Sequence, residues 1–243
     1  MISKNQLKLI RALGQKKYRK QYNQYLVQGE KNVLELLASD LAIEDVFATP
    51  AFISQYQAQF NKVSMIEANE DSLTKASTLV SNNAAIAVVA MPKVELPKTN
   101  GLILALDGVS DPGNLGTIIR VADWYGIKHI VASIDSADPY NPKTISATMG
   151  SFVRVAVSQV ELPAYLSALN LPIYGAFLEG ENLHKAELSQ SGVLLMGSES
   201  HGIRSECAAL VSNKITIPAF GAAESLNVAM ATGIILDNFK RQA

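Results

Sequence analysis

Glu224, Ser225 and Asn227 stand where a β-branched run, Lys214 to Ile217, gives way to an apolar helical stretch from Leu226 to Phe239. Pro218 and Gly221 punctuate the loop between them, and the spacing predicts Ser225 at the helix N-cap. A helix start presents unpaired N–H groups and the positive end of the helix dipole, so such a turn suits carboxylate or phosphate oxygens. A capping serine also has a plainer use, which is to bond the first helical turn.

Two further segments bear the same strand, loop and helix signature. The apolar run Leu102 to Leu106 leads into Asp107-Gly108-Val109-Ser110-Asp111-Pro112-Gly113-Asn114, with Asn114 the expected N-cap of the next helix. Leu115, Ile118, Ile119 and Ala122 then form an apolar stripe for packing on a sheet. Arg120 falls roughly 150° from the centre of that stripe at 100° per residue, which places it outside the core. In the other segment, Val193 to Met196 runs into the polar turn Gly197-Ser198-Glu199-Ser200-His201-Gly202. A hydrolase elbow of the form G-x-S-x-G is absent there, so His201 reads as an exposed loop residue. Trp124 and Tyr125 are expected to pack at a helix end, and Cys207 to be a small interior residue.

These loops need a sheet to hold them. From Gly101 onward, runs at Leu102 to Leu106, His129 to Ser133, Val153 to Val157, Pro172 to Ala176, Val193 to Met196 and Lys214 to Ile217 alternate with helical stretches. Such alternation predicts an α/β fold with a mostly parallel sheet and helices on both faces. Ligands in such sheets collect beyond the strand C-termini, where the three polar segments lie. Neither a dinucleotide-binding G-x-G-x-x-G after the first strand nor a P-loop is present. Before residue 92, shorter alternating elements predict a small α/β domain. The proline-bearing stretch 93–100 reads as a linker, so the expected domains are 1–92 and 101–243.

At 243 residues, 48% hydrophobic and 18% charged, the chain suits two folded domains rather than disorder. One cysteine rules out an internal disulfide, the three histidines lie far apart, and no metal-ligand spacing occurs. No run approaches a membrane span and no secretory signal opens the chain, so a soluble cytoplasmic protein is expected. The net charge of −1 conceals a polarity. Lys4, Lys8, Arg11, Lys16, Lys17, Arg19 and Lys20 precede the first acid, Glu30. Tyr18, Tyr22 and Tyr25 interleave with the last of these charges, a mixture suited to phosphate neutralisation and base stacking.

Together the three polar segments resemble the three motifs of the SpoU (TrmH-type) RNA ribose 2′-O-methyltransferases of the SPOUT superfamily. Asn114 and Arg120 match the first motif, Gly197, Glu199 and Gly202 the second, and Ser225, Leu226 and Asn227 the third. Ser198 and Ser200 depart from the residues common at those places. The resemblance implies a trefoil knot in the C-terminal domain and an N-terminal RNA-binding domain like ribosomal protein L30e. It implies S-adenosylmethionine as cofactor, held by Phe177, Met196, Gly197, Ile217 and Leu226, without a metal. Arg120, Ser225 and Asn227 become the expected catalytic residues, with Asn114 and Glu199 positioning the site. The expected RNA contacts are Lys16, Lys17, Tyr18, Arg19 and Lys20, the expected substrate is structured tRNA or rRNA, and a homodimer is implied. The competing reading is a catalytically silent RNA-binding protein that has kept the fold.

Overall fold

The computed structural model describes residues 2–60, 63–97 and 101–242. The chain forms two compact units, Met1–Lys93 with Asp138–Val153, and Val94–Ala137 with Arg154–Ala243. Segment 138–153, expected in the second domain, therefore belongs to the first unit. Its side chains explain why. Ile145 joins the first unit's core with Tyr140 and Phe152 packed against it, and the Tyr140 ring centre lies 4.8 Å from that of the buried Tyr25.

In the first unit the chain runs α1 (Lys4–Leu13), α2 (Lys16–Tyr22), β1 (Gln24–Gln28), α3 (Glu30–Leu37), β2 (Ile43–Ala48), α4 (Pro50–Tyr56), β3 (Met65–Glu67), α5 (Glu70–Ala76) and β4 (Ala85–Ala90). The sheet order is β1-β4-β2-β3, with β2 and β3 parallel and the other pairs antiparallel. Ser3 and Gln6 form a reciprocal capping box that starts α1. Ile10 and Leu13 on that helix are fully buried against Leu26, Phe47 and Leu73, so the basic N-terminus is part of the folded core.

The second unit carries β5 (Leu102–Asp107), α6 (Pro112–Trp124), β6 (His129–Ser133), β7 (Ala156–Val160), α8 (Leu162–Ser167), β8 (Ile173–Asn182), β9 (Gly192–Gly197), α9 (Ser205–Ala208), β10 (Asn213–Thr216) and α10 (Val228–Arg241). Between β6 and β7 the chain visits the first unit, where Pro142–Thr148 forms the short helix α7. All pairings in the order β10-β8-β9-β5-β6-β7 are parallel, as the alternating pattern predicts. Successive residues serve opposite faces. Leu104, Leu106, Leu194 and Met196 pack with Ile118, Ile119, Ile235 and Leu236 of α6 and α10, while Ile103, Ala105, Val193 and Leu195 meet Leu162, Leu166 and Cys207 of α8 and α9.

Three local expectations shift. β7 begins at Ala156 rather than Val153, because Ser151–Val153 winds into a 3-10 turn. Asp111, not Asn114, caps α6, its carboxylate accepting from the Asn114 N–H at 2.9 Å with Pro112 in the first helical position. Asn227, not Ser225, caps α10, accepting from the N–H groups of Ala229 and Met230. In each case the cap is the residue whose side-chain oxygen reaches an N–H two or three residues on, a distinction that residue type alone does not make.

Candidate active site

Both cap shifts place an asparagine amide where it can bond sideways instead. Asn227 Oδ1 accepts from Ala229 N at 3.0 Å and Met230 N at 3.4 Å. Its Nδ2 is left to donate, and does so to Asn114 Oδ1 at 3.0 Å. Asn114 Nδ2 in turn donates to Glu199 Oε1 in a short hydrogen bond. The start of α6, the turn after β9 and the start of α10 are thereby joined by side chains 85 and 113 residues apart in sequence. Arg120 and Ser225 are exposed, and among the described residues neither side chain has a hydrogen bond or ion pair. The structure thus links three of the five expected catalytic residues directly and leaves the other two with unoccupied polar groups.

The turn bearing Glu199 is tightly built. Ser198 and Gly202 exchange backbone hydrogen bonds at 3.0 and 2.9 Å. A Cβ on Gly197 would fall 2.1 Å from the Gly202 carbonyl carbon, and Gly202 itself has φ +65°, which accounts for both glycines. His201 is exposed, with Nδ1 2.7 Å from Ser200 Oγ.

Beyond the turn lies a group that the sequence reading missed. Asp107, the fully buried last residue of β5, accepts from the Arg204 N–H at Oδ2, 2.8 Å, and from Arg204 Nε at Oδ1, 2.7 Å, with Nη2 also on Oδ1. Arg204 Nη1 reaches Asp135 Oδ2 at 2.9 Å. These bonds to Asp107, and then to Asp135, push the guanidinium pKa up. Asp135 is lowered, first by the Ser133 hydroxyl and further by Arg204. One signal was available: a carboxylate ending an otherwise apolar strand must find a cation or several N–H groups.

The segment from Ile217 to Leu226 is an open loop. Among the described residues its backbone neither donates nor accepts a backbone hydrogen bond, Phe220 is wholly exposed, and Leu226 retains 50% of its surface. A loop with free N–H and C=O groups beside apolar side chains is one that an amphipathic small molecule can complete. Phe177 is half-buried under the Lys214 ammonium, 5.0 Å from the ring centre. Met196 is buried in the core, so only its main chain is left for a ligand, and Ile217 packs partly on the same cluster. Cys207 is interior as expected, its thiol pushed up to about 11, chiefly by burial.

In the first unit, Lys16, Lys17 and Lys20 are exposed on α2, and Tyr18 stacks on Tyr22 at 6.3 Å. Arg19 is different. It is 1% exposed, donates to the carbonyls of Leu13 and Gly14, and pairs with Asp138 at 2.6 Å, so its expected RNA contact is withdrawn. Tyr25 is likewise buried and cannot stack on a base. Trp124, expected to pack, is 85% exposed at the end of α6.

Residues 101–237 match the SpoU rRNA Methylase family, and residues 4–87 the MRM3-like substrate binding domain. The chain is 31% identical over 244 residues to the 23S rRNA (guanosine(2553)-2′-O)-methyltransferase of Bacillus subtilis, covering 96% of each protein. It superposes with TM-score 0.90 on an RNA methyltransferase of the TrmH family from Porphyromonas gingivalis, at 37% identity over the whole of both chains. An S-adenosylmethionine-bound rRNA methyltransferase from Sinorhizobium meliloti gives TM-score 0.86 at 29% identity, over 99% of this chain and 97% of that one.

Proposed function

This chain belongs to the SpoU rRNA methylase family, and on that premise we propose that it methylates a ribose 2′-hydroxyl of structured RNA with S-adenosylmethionine. The observation that carries the reading is the directed chain Asn227 to Asn114 to Glu199, which ties the three family segments together. Arg120 and Ser225 are left free nearby in sequence for the RNA. The full-length rRNA-modifying relative favours ribosomal RNA over tRNA. A silent RNA-binding protein would have no reason to keep this chain of polar groups with Arg120 and Ser225 unspent.

The Ile217–Leu226 backbone, with Phe177, Gly197 and Leu226, would hold the cofactor, which supplies a methyl carbon already activated by its sulfonium. We read these loops as the trefoil knot of the family, and the first unit as its RNA-binding, L30e-like domain. A guanidinium carries five N–H donors and no acceptor, so Arg120 acts as a clamp on the target phosphate and stabilises charge developing on the ribose oxygen. The hydroxyl proton leaves to phosphate or water. Ser225 orients the ribose. Among the described residues no helix is long and apolar enough to cross a membrane, and a cytoplasmic place follows from the rRNA substrate.

Arg120→Lys preserves charge but loses the planar fork, and is expected to lower kcat by about 10²-fold while S-adenosylmethionine affinity by calorimetry stays unchanged. Full activity in that variant rejects the clamp. Mapping 2′-O-methyl groups in total RNA with and without the gene tests the function itself. Loss of no methyl group overturns it.

A homodimer completes the proposal. Trp124 and Met230, 85% and 63% exposed, lie on α6 and α10, two helices that pack on each other and leave these side chains outward. Large exposed apolar side chains on paired helices suit a second copy of the same surface. Light scattering at micromolar concentration is expected to give twice the 26.1 kDa chain mass, and Trp124→Glu to give the monomer.

A further inference from the structure

Arg204 turns all three of its guanidinium nitrogens toward two carboxylates, in four hydrogen bonds, even though 47% of its side-chain surface is exposed. Such an arginine is withheld from RNA. Asp107 ends β5, Asp135 follows β6, and Arg204 follows the turn at the end of β9, so one guanidinium ties together the loops of three neighbouring strands. The base it ties to is firm: Ser133 Oγ accepts from the Gly108 N–H at 2.9 Å and lies 2.9 Å from Ser136 Oγ.

We infer that Arg204 is a positioning residue for methyl transfer, pinning the Gly197–Gly202 turn so that Glu199 meets Asn114. The inference rests on the methyltransferase reading above. The turn is closed by the paired bonds between Ser198 and Gly202, and Gly197 packs so closely on Gly202 that no Cβ fits between them. A closed turn moves as one piece. Its tip is therefore set where its base is held, at β9 on one side and at the Arg204 main chain and guanidinium on the other. Asp107 holds both, through Oδ2 and Oδ1 respectively. Lysine could keep one charge contact but could not span both carboxylates.

The test uses the full chain, S-adenosylmethionine, and RNA from cells lacking the gene. Arg204→Gln is expected to lower kcat by about 10²-fold, the cost of misplacing a reacting group by about 1 Å, while KM for RNA stays within about two-fold. Arg204→Lys is expected to recover little of that loss. Hydrogen exchange, measured on the protein alone, is expected to quicken across residues 198–205 in both variants. A normal kcat with normal exchange overturns the inference, and a raised KM with unchanged kcat makes Arg204 an RNA contact instead. If Arg204→Gln fails to fold, Asp135→Asn removes only the outer carboxylate. Faster exchange over 198–205 with a smaller fall in kcat then supports the pin, and no change in either rejects it. Should the parent protein methylate no RNA, the function fails by itself, and the exchange comparison still decides whether the turn is pinned.

Discussion

Asn227 cannot turn its amide over, because the N–H groups of Ala229 and Met230 only donate and so demand its oxygen. That orientation propagates. Asn114 must offer its oxygen to Asn227 and its nitrogen to position 199, where only an acceptor fits. Glu199→Gln keeps an acceptor and loses only charge assistance, worth about 1 kcal/mol, so activity is expected to fall by about five-fold. Asn114→Asp removes the donor and sets two carboxylates face to face, which raises the pKa of one of them. Its activity is therefore expected to be the lower of the two at pH 7.5, and to recover relative to the parent toward pH 5, where a shared proton restores the missing donor. A ratio that stays flat with pH rejects the directed chain. At this scale the sequence identified the residues but not their bonds: Asn114 and Asn227 have the composition of caps, and only the fold shows which oxygen each helix start uses. Arg19 failed for a related reason. Its neighbours in sequence are exposed lysines, and the acid that buries it lies 119 residues away.

The elements were more legible than the contacts among them. Apolar runs identify all six strands of the second sheet and period-3.6 stripes identify α6 and α10, because burial on both faces demands them. What periodicity cannot show is a close approach between backbones. Gly197 and Gly202 look alike in sequence, yet they are glycines for different reasons. A Cβ at Gly197 would overlap the backbone of Gly202 and Ile203, whereas one at Gly202 meets nothing and suffers only from its positive φ. Gly197→Ala must therefore force the turn open, and is expected to abolish S-adenosylmethionine binding by calorimetry. Gly202→Ala is expected to keep binding and to cost about 1 kcal/mol of stability in denaturant unfolding. Equal effects would mean that the turn tolerates displacement. At β7 a 3-10 turn took Val153, which read as the first residue of the strand.

For the whole molecule, the local concentration of positive charge was visible in the sequence, but the burial of Arg19 within it was not. Segment 138–153 joins the first unit through Asp138, Tyr140, Ile145 and Phe152, a discontinuity that no linker composition announces. Deleting the first 20 residues is consequently a poor probe of RNA binding, since it would remove Ile10 and Leu13 from the core and leave Asp138 without Arg19. Charge substitution at exposed positions separates the two effects. Each lost phosphate contact lowers the slope of log K against log salt by about 0.7 to 0.9, so replacing Lys16, Lys17 and Lys20 with alanine is expected to lower it by about 2 to 3. Tyr22→Ala, which removes one ring of the Tyr18 stack, is expected to weaken RNA binding by about 1–3 kcal/mol with the slope unchanged, because stacking releases no counterions. Arg19→Ala is expected to lower folding stability by about 3–5 kcal/mol, as loss of one partner of a buried pair does, while RNA bound by the folded fraction keeps its salt slope. An unchanged slope in the triple lysine variant would make α2 a solvated surface. Recognition would then rest on other parts of the substrate-binding unit or on Arg120.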